Sequence, residues 1–386
     1  MKINKIFIIT FSIVLALGFI FYQPNINSNF VVSANFENSP EHKASVLIEK
    51  NTGKILYNNH ANDRFPIASV TKLMTILLTL EDIEAGTISL SDKVMVSENA
   101  RNMGGSQIFL DANCEYVLED LLKSVIVCSA NDSSVALAEH IAGSESNFVK
   151  LMNEKATSLN LTNTHYANCT GLPTTEGYSS AYDQAIVLSK VLNYESYHKF
   201  SAIWFEDFVH PSGRTTQMTN TNKLSKFYSG CIGGKTGSTN QAKYCLSVGA
   251  KRNDMELIAC VLGAETSKER FKLAGDLLNY GFDNFIGKKL FSNADLENKT
   301  IKIKGQDRFT RLKTEKDFYY ICNKNETLNY SIKLNLPNKL ISVSENQIVG
   351  NADIIVDGIV VDSINILSSE THNESSFWDY LKEITS

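Results

Sequence analysis

The stretch Ser69-Val-Thr-Lys72 begins the segment around which the fold of this 386-residue sequence is organised. Apolar residues recur behind it at helical spacing, which predicts a helix from Ser69 to about Ala85; they are Leu73, Ile76, Leu77, Leu80 and Ile83. Residues three apart share a helix face, so the Ser69 hydroxyl and the Lys72 amine are expected within hydrogen-bond reach. Because a serine needs a base to become a nucleophile, and burial can lower the pKa of a lysine, this pair is a candidate nucleophile and base.

Two further motifs follow in order along the chain. Ser129-Ala-Asn131 lies in a polar break between helices predicted over Leu118–Ile126 and Ser133–Ala142. Lys235-Thr-Gly237 lies about a hundred residues later, just before a strand predicted over Tyr244–Ala250. S-x-x-K, S-x-N and K-T-G in this order form the motif set of serine penicillin-recognising enzymes.

The S-x-x-K pattern alone is weak, since roughly two matches are expected by chance in a chain of this length. Ser196-Tyr-His-Lys199 is such a second match. It lacks the two companion motifs downstream, so we interpret it as a surface pair.

The remaining periodicity predicts an α/β (α+β) sandwich over residues 40–285, with its sheet closed by the first and last strands. The segments that predict it are a hairpin over Ala44–Lys50 and Ile55–Tyr57, helices over Asn147–Leu159 and Tyr182–Leu192, a strand over Glu256–Leu262 and a helix over Lys268–Phe282. A small all-β domain is predicted over residues 290–368, from strand-like segments at Ile301–Lys304, Phe318–Cys322, Tyr330–Leu336 and Ile354–Ile366.

The two ends of the chain bear on its location. Lys2 and Lys5 precede the uncharged apolar run Ile6–Tyr22, and small residues end at Ala34, which predicts a signal peptide over residues 1–34. An uncleaved membrane anchor is the alternative interpretation. Residues 375–386 place Phe377, Leu381 and Ile384 on one face of a short amphipathic helix. Peripheral membrane contact and docking on the protein's own core both remain open for this helix. We therefore expect an exported enzyme of the cell wall or the outer face of the bacterial cytoplasmic membrane.

Composition excludes some classes of protein. The chain has 37 Lys+Arg against 42 Asp+Glu and a net charge of −5, so no nucleic-acid partner is expected. The seven cysteines are odd in number and irregularly spaced, and we interpret them mostly as free, buried thiols. No zinc motif occurs, and neither a metal nor a cofactor is expected.

Longer matching stretches make the chain similar to the D-alanyl-D-alanine carboxypeptidases, the low-molecular-mass penicillin-binding proteins. The stretches are Pro66–Thr75, Gly105–Leu110, Ser129–Asp132, Ala136–Gly143, Phe148–Asn153, Thr219–Leu224 and Gly234–Thr239. The β-rich tail resembles the family's second domain more loosely, best at Ile348-Val-Gly350. The resemblance implies the serine β-lactamase/DD-peptidase fold and an activity on peptidoglycan stem peptides, with β-lactams as inhibitors.

The resemblance also implies a role for each motif residue. The catalytic residues would be Ser69, Lys72 and Ser129, and the substrate-binding residues Asn131, Lys235, Thr236, Gly237 and Ser238. Ser69 would form an acyl-enzyme with release of D-alanine, Lys72 would take its proton, and Ser129 would relay a proton to the leaving amine. Thr236 and Ser238 would bind the terminal carboxylate beside the charge of Lys235. The oxyanion would lie between the backbone N–H groups of Ser69 and Ser238.

The sequence departs from the family pattern at a few positions. Ala130 replaces a common glycine, Lys243 stands in the rim after K-T-G, and Cys169 stands where proline is frequent. An arginine that holds the carboxylate in some members would align near Glu265, and on that alignment Lys235 carries more of the binding.

Three alternatives remain. A class A β-lactamase shares the motifs but uses a loop glutamate for deacylation, and no Glu-x-x-x-Asn occurs between Asn131 and Lys235. A DD-endopeptidase or transpeptidase would use the same site. A non-catalytic wall-binding protein is a more remote alternative, since every motif is intact.

Overall fold

A computed structural model describes residues 41–305 and 307–379 of the chain. Contacts divide these residues into two compact units. The first consists of residues 41–290 and Phe318–Thr327, and the second of the remaining described residues. The expected signal peptide lies outside the described residues, as do residues 380–386 of the expected terminal helix.

The strands of the described chain are numbered in chain order. They are β1 (Ala44–Glu49), β2 (Ile55–Asn59), β3 (Lys93–Met95), β4 (Glu115–Val117), β5 (Phe205–Val209), β6 (Thr215–Thr219), β7 (Cys231–Thr239), β8 (Lys243–Arg252), β9 (Met255–Ala264), β10 (Phe285–Phe291), β11 (Thr300–Ile303), β12 (Phe309–Thr314), β13 (Phe318–Asn323), β14 (Tyr330–Asn335), β15 (Lys339–Leu340), β16 (Ile348–Val356) and β17 (Ile359–Ser368).

The α-helices lie between β2 and β10 in the sequence, and two short 3₁₀ helices accompany them. The α-helices are α1 (Lys72–Ala85), α2 (Glu98–Arg101), α3 (Leu118–Val127), α4 (Asn131–Ala142), α5 (Glu145–Ser158), α6 (Ala181–Val191), α7 (Glu195–Ser201), α8 (Leu224–Phe227) and α9 (Ser267–Asn284); the 3₁₀ helices are Ala68–Thr71 and Asn293–Leu296.

The main sheet of the first unit is antiparallel and runs in the order β2–β1–β9–β8–β7. Leu47 of β1 lies opposite Ala259 of β9, so the first strand pairs with the last strand of this sheet. The predicted closure of the sheet is therefore confirmed. β7 forms one edge, where the turn that carries Ser69 lies against it.

Helices cover both faces of this sheet, which explains why its central strands have nearly continuous apolar sequences. Val46 and Ile48 of β1 belong to the core that contains α1, α3 and α6. Leu47, on the opposite face, packs in a second core with Leu273 and Leu277 of α9. The predicted α/β sandwich is confirmed.

Two local predictions were wrong. The helix predicted from Ser69 begins with a 3₁₀ turn, and its α-helical part starts only at Lys72. Lys235-Thr-Gly237 was expected before a strand but lies inside β7. Glycines and short polar residues fill this strand, so its sequence has little intrinsic strand preference, and pairing with β8 maintains it.

The second unit contains a sheet in the order β14–β16–β17–β12–β11–β15. The segment Ile354–Ile366, predicted as strand throughout, is interrupted by a turn at Asp357-Gly358, where both residues have positive φ (50° and 79°). That geometry suits a tight hairpin connection and produces β16 and β17. β13 pairs with β10 and belongs to the first unit.

The seven cysteines are free thiols, and Cys169, Cys245, Cys260 and Cys322 are buried. Burial raises the pKa of Cys128 to about 12 and that of Cys245 to about 11. These two thiols are therefore protonated near neutral pH and are poor nucleophiles.

Candidate active site

Ser69 lies in the 3₁₀ turn that precedes α1, and its side chain is partly exposed. The turn follows Ala68, whose φ of 48° is in the left-handed region that residues with a Cβ seldom adopt. Gly171 contacts this turn so closely that a Cβ on it would lie 1.9 Å from Ala68 O. The loop around Gly171 therefore fixes the backbone that presents the Ser69 hydroxyl.

Lys72 lies one turn further on, fully buried, with Nζ 3.1 Å from Ser69 Oγ. Its amine also donates to Asn131 Oδ1 and to Thr170 O, each at 2.5 Å. Burial lowers the pKa of Lys72 from 10.5 to about 7. A neutral amine has two N–H groups and one lone pair. With the two N–H groups directed at Asn131 and Thr170, the lone pair can accept the Ser69 proton.

Ser129 and Lys235 form a second hydroxyl–amine pair. Lys235 Nζ donates to Ser129 Oγ at 2.7 Å and to Thr236 O at 3.1 Å. Burial, together with the positive charges of Lys72 and Arg270, lowers the pKa of Lys235 well below its ordinary value. Ser129 has a φ of 66°, in the left-handed region, so the backbone at the S-x-N motif is strained.

Asn131 begins α4, and both of its polar groups are engaged. Its Nδ2 donates to Gly104 O at 2.6 Å, which leaves Oδ1 directed at Lys72. The neighbouring Asp132 carboxylate accepts from the backbone N–H groups of Ile108 and Leu110 at 3.2 and 3.1 Å. The start of α4 and the loop before Leu110 therefore hold each other in place.

The glycine of the K-T-G motif, Gly237, is required by the close packing of β7 against the turn that carries Ser69. A Cβ on Gly237 would lie 2.6 Å from Ile67 O and 2.9 Å from Ser69 N, so only glycine lets β7 approach the nucleophile this closely. Thr236 Oγ1 donates to Thr221 Oγ1 at 2.8 Å, and Ser238 is exposed at the same edge.

Arg270 of α9 is a site residue that the sequence reasoning missed. Its guanidinium is buried and donates to Gly237 O at 3.0 Å and to Cys245 O at 3.3 Å. Burial lowers its pKa to about 10, and the group remains charged at neutral pH. Near Glu265, where the sequence alignment has no arginine, Glu265 pairs with Lys243 at 3.1 Å, whereas Arg270, five residues later, contacts the motif strand. The signal was an arginine three residues into a helix predicted directly after the last sheet strand.

Thr170 is the second residue that was missed, because its contribution is a backbone carbonyl and carries no side-chain signature. The only sequence signal near Thr170 was the neighbouring Gly171-Leu172 pair. By contrast, the surface interpretation of the second S-x-x-K match is confirmed, since the Lys199 side chain is 73% exposed and pairs with Glu119. Among the described residues, no group of three or more His, Cys, Asp and Glu side chains could hold a metal ion.

The fold and this site define a serine peptidase of the penicillin-recognising class, in which a lysine serves the nucleophile. Residues 32–266 match the family described as D-alanyl-D-alanine carboxypeptidase, and residues 285–374 match the penicillin-binding protein 5, C-terminal domain. The chain is 40% identical over 346 residues to the D-alanyl-D-alanine carboxypeptidase DacF of Bacillus subtilis (strain 168), covering 89% of this chain and 88% of the relative. It is 30% identical over 374 residues to DacD of Escherichia coli (strain K12), covering 93% and 95%.

Solved structures agree with the sequence relatives. Penicillin binding protein 5 from Haemophilus influenzae has a TM-score of 0.73 at 29% identity, covering 87% of this chain and 98% of that chain. The chain therefore belongs to the D-alanyl-D-alanine carboxypeptidase family and is a serine peptidase, a hydrolase.

Proposed function

We propose that this carboxypeptidase removes the terminal D-alanine from peptidoglycan stem pentapeptides through an acyl-enzyme on Ser69. The observation that supports this most is the buried Lys72 amine, 3.1 Å from Ser69 Oγ. With a pKa of about 7, a large fraction of this amine is neutral near pH 7 and able to act as a base.

In the first half of the reaction, Ser69 Oγ attacks the carbonyl carbon between the two D-alanines, and its proton passes to Lys72 Nζ. Collapse of the tetrahedral intermediate breaks the C–N bond, and the Ser129 hydroxyl delivers a proton to the leaving amine. Ser129 then takes back a proton from Lys72, which gained it from Ser69 in the attack and thereby returns to its neutral amine. Water then hydrolyses the ester and restores Ser69.

The substrate is held along β7. Arg270 supplies positive charge at the K-T-G end, beside the Lys235 amine, and Thr236 and Ser238 offer hydroxyl groups to the terminal carboxylate. Asn131, whose Oδ1 accepts from Lys72 Nζ, would bind the peptide amide. The backbone N–H groups of Ser69 and Ser238 would form the oxyanion hole, and the close approach of Gly237 to Ser69 N supports that assignment.

The test is covalent labelling by a fluorescent penicillin, followed on a denaturing gel, together with D-alanine release from a diacetylated Lys-D-Ala-D-Ala peptide. Wild-type protein and Ser196→Ala should label and release D-alanine, whereas Ser69→Ala should do neither. Ser196→Ala is a matched control because it removes the serine of the other S-x-x-K match. Equal labelling of wild type and Ser69→Ala would refute the assignment of the nucleophile.

β-Lactams should acylate Ser69 and remain attached. In the described part of the chain, no carboxylate is hydrogen-bonded to Ser69 or Lys72. Glu154 and Glu176 are both exposed. Loss of the label within seconds would favour a β-lactamase.

We also propose that the enzyme works outside the cytoplasmic membrane and that residues 40–285 carry the catalysis. In addition, we propose that the C-terminal segment contacts the membrane peripherally. Apart from the predicted leader, support comes from Phe377 and Trp378, which are 71% and 68% exposed with their rings in edge contact. No helix of residues 41–305 or 307–379 is long and apolar enough to cross a membrane. Membrane retention of the protein with and without residues 375–386 tests the contact, and equal retention would contradict it.

A further inference from the structure

The loop of residues 104–113, called the clamp loop below, holds Asn131 from two sides. Asn131 Nδ2 donates to Gly104 O at 2.6 Å, and the Asn131 backbone N–H donates to Ser106 O at 2.7 Å. Because Asn131 Oδ1 accepts from Lys72 Nζ at 2.5 Å, the clamp loop determines where the amine of the catalytic base is directed. Displacing this loop would therefore change the reacting groups without touching them.

The outer side of the clamp loop is held by the hairpin of β5 and β6. Arg214, in the hairpin turn, donates from Nη2 to Phe109 O at 2.5 Å and to Asp111 Oδ1 at 3.3 Å. Thr216 of β6 donates from its hydroxyl to Ile108 O at 3.1 Å. Three sites of the loop, two on its backbone and one on a side chain, are thus tied to one hairpin.

The clamp loop needs these contacts because its backbone is strained. Phe109 has a φ of 63° although it is not glycine, and its side chain is 59% exposed. A bulky residue in the left-handed region is maintained only when its surroundings impose that conformation. Asp132 holds the inner side through Ile108 N and Leu110 N, and Arg214 holds the outer side through Phe109 O.

His210 is the buried centre of the hairpin contacts, with an imidazole that is fully enclosed. Its Nε2 lies 2.9 Å from Thr216 Oγ1, and its Nδ1 lies 3.2 Å from Arg214 Nη2 and 3.0 Å from Tyr116 Oη. The Thr216 hydroxyl already gives its hydrogen to Ile108 O, so Nε2 must carry the proton that Thr216 accepts. Arg214 Nη2 has two N–H groups, shared among Phe109 O, Asp111 Oδ1 and His210 Nδ1, and no acceptor, so Nδ1 faces it as an acceptor. The geometry fits a neutral imidazole.

We propose that His210 and Arg214 are positioning residues for the reaction assigned to Ser69, and that they latch the clamp loop only while His210 is neutral. The inference rests on the proposed function, since it concerns the same Lys72 and Asn131. Protonation of Nδ1 would place an N–H group against the Arg214 guanidinium and remove the acceptor that orients it. The hydrogen bond from Arg214 Nη2 to Phe109 O would then break, and the strained loop would move away from Asn131.

The groups that face His210 come from each packed element. They are the Tyr116 hydroxyl of β4, the Asp111 carboxylate of the clamp loop at 4.0 Å, Arg214 of the hairpin turn and the ring of Phe208 of β5. Burial and the charge of Arg214 lower the pKa of His210 below 6.5, while Asp111 acts in the opposite direction. The latch therefore holds at neutral pH and opens in acid.

The first experiment compares Arg214→Gln with Glu206→Gln, using the rate constant for acylation by a fluorescent penicillin. Glu206 is a matched control because it lies on the same hairpin and binds Lys123, at 2.8 Å, instead of the clamp loop. Arg214→Gln should acylate about tenfold more slowly than wild type, since small misplacements of reacting groups cost this much or more. Glu206→Gln should match wild type. Equal rates in the two variants would overturn the proposal, whereas failure of wild type itself to acylate would instead refute the proposed function.

The second experiment uses His210→Gln, whose amide nitrogen can still donate to Thr216 but does not titrate. The ratio of the wild-type acylation rate to that of this variant, measured from about pH 5 to 8, cancels the ionisation of Lys72 that both proteins share. The ratio should be constant above about pH 6.5 and fall below it, because only the wild-type latch opens. A ratio constant over the whole range would refute the switch. Thermal melting of both variants distinguishes unfolding from a displaced loop.

Discussion

Lys235 donates a hydrogen bond from Nζ to Ser129 Oγ over 2.7 Å, although 106 positions separate the two residues in the sequence. Both partners are held at a cost in free energy. Lys235 is 1% exposed, which penalises its charge, and Ser129 has a φ of 66°. Since neither feature helps the protein to fold, the bond is best understood as machinery that places the Ser129 hydroxyl beside the leaving group.

Ser129→Ala removes the hydroxyl that would protonate the leaving amine. We expect the rate constant for acylation by the peptide substrate to fall about 10²- to 10⁴-fold, the usual contribution of a positioned acid or base. Stopped-flow measurement of D-alanine release, with thermal melting to confirm folding, checks this. Ser124→Ala is a matched control, since Ser124 is a buried serine of the preceding helix that bonds to Ser133 instead of Lys235. Comparable losses of activity in both variants would indicate general damage to this region.

The Lys72 amine predicts a pH dependence of stability. Its pKa is about 7 in the folded protein and near 10.5 in the unfolded chain, so the unfolded chain binds more protons between these values. A lowered lysine pKa therefore destabilises the fold fully below pH 7, and the penalty is relieved as the pH rises towards 10.5. Between pH 7 and 9 the wild type should gain about 2 kcal/mol relative to Lys72→Met. Urea unfolding of both proteins at the two pH values measures the difference, and parallel behaviour would contradict the lowered pKa.

The same ionisation predicts the rate profile. Only neutral Lys72 can take the Ser69 proton, so penicillin acylation should rise with pH through about 7. Rapid-mixing acylation assays across this range measure the profile. An acylation rate that does not change through neutrality would remove Lys72 from the role of base.

Much of this site could be predicted from the sequence because its residues carry their chemistry in side chains. Ser69 and Lys72 were predicted from helical spacing, and the remaining motif residues from their order along the chain. The structure places Lys72 within contact of Ser69 and Asn131, and Lys235 within contact of Ser129.

The parts that could not be predicted depend on long-range contacts. Thr170 acts through its carbonyl, which every residue type possesses. Arg270 reaches β7 from a helix that packs on the other face of the sheet, and no sequence period connects the two. The strand that carries Lys235 was missed for a related reason. Its residues have low intrinsic strand propensity, and pairing with β8 stabilises it.

Gly237→Ala tests the close approach of β7 to the nucleophile. The added methyl group would lie 2.6 Å from Ile67 O and 2.9 Å from Ser69 N, both backbone atoms that cannot rotate away. We expect penicillin acylation to slow at least about 10²-fold, because a displacement near 1 Å has this effect. Gly275→Ala in α9 is the control, since its methyl group meets only Tyr228 at 3.8 Å. That control should acylate normally and gain up to about 1 kcal/mol in stability; if both variants acylate alike, the contact has no catalytic consequence.

Substitution of Arg270 tests whether this cation, which donates to the backbone of β7, binds the substrate carboxylate. The charge of Arg270 persists at neutral pH, with a pKa of about 10, and Nε lacks a hydrogen-bond partner within the described structure. Arg270→Gln should lower kcat/KM for a peptide with a free terminal carboxylate about tenfold or more, roughly 1.4 kcal/mol, while Arg270→Lys keeps the charge and loses less. An analogue with an amidated terminus should distinguish the variants poorly, since it presents no charge to bind. Lys272→Gln, which removes an exposed cation paired with Asp276 on the same helix, is the control. If Arg270→Gln reduced turnover of both substrates equally, Arg270 would hold the strand and leave recognition of the carboxylate to Lys235.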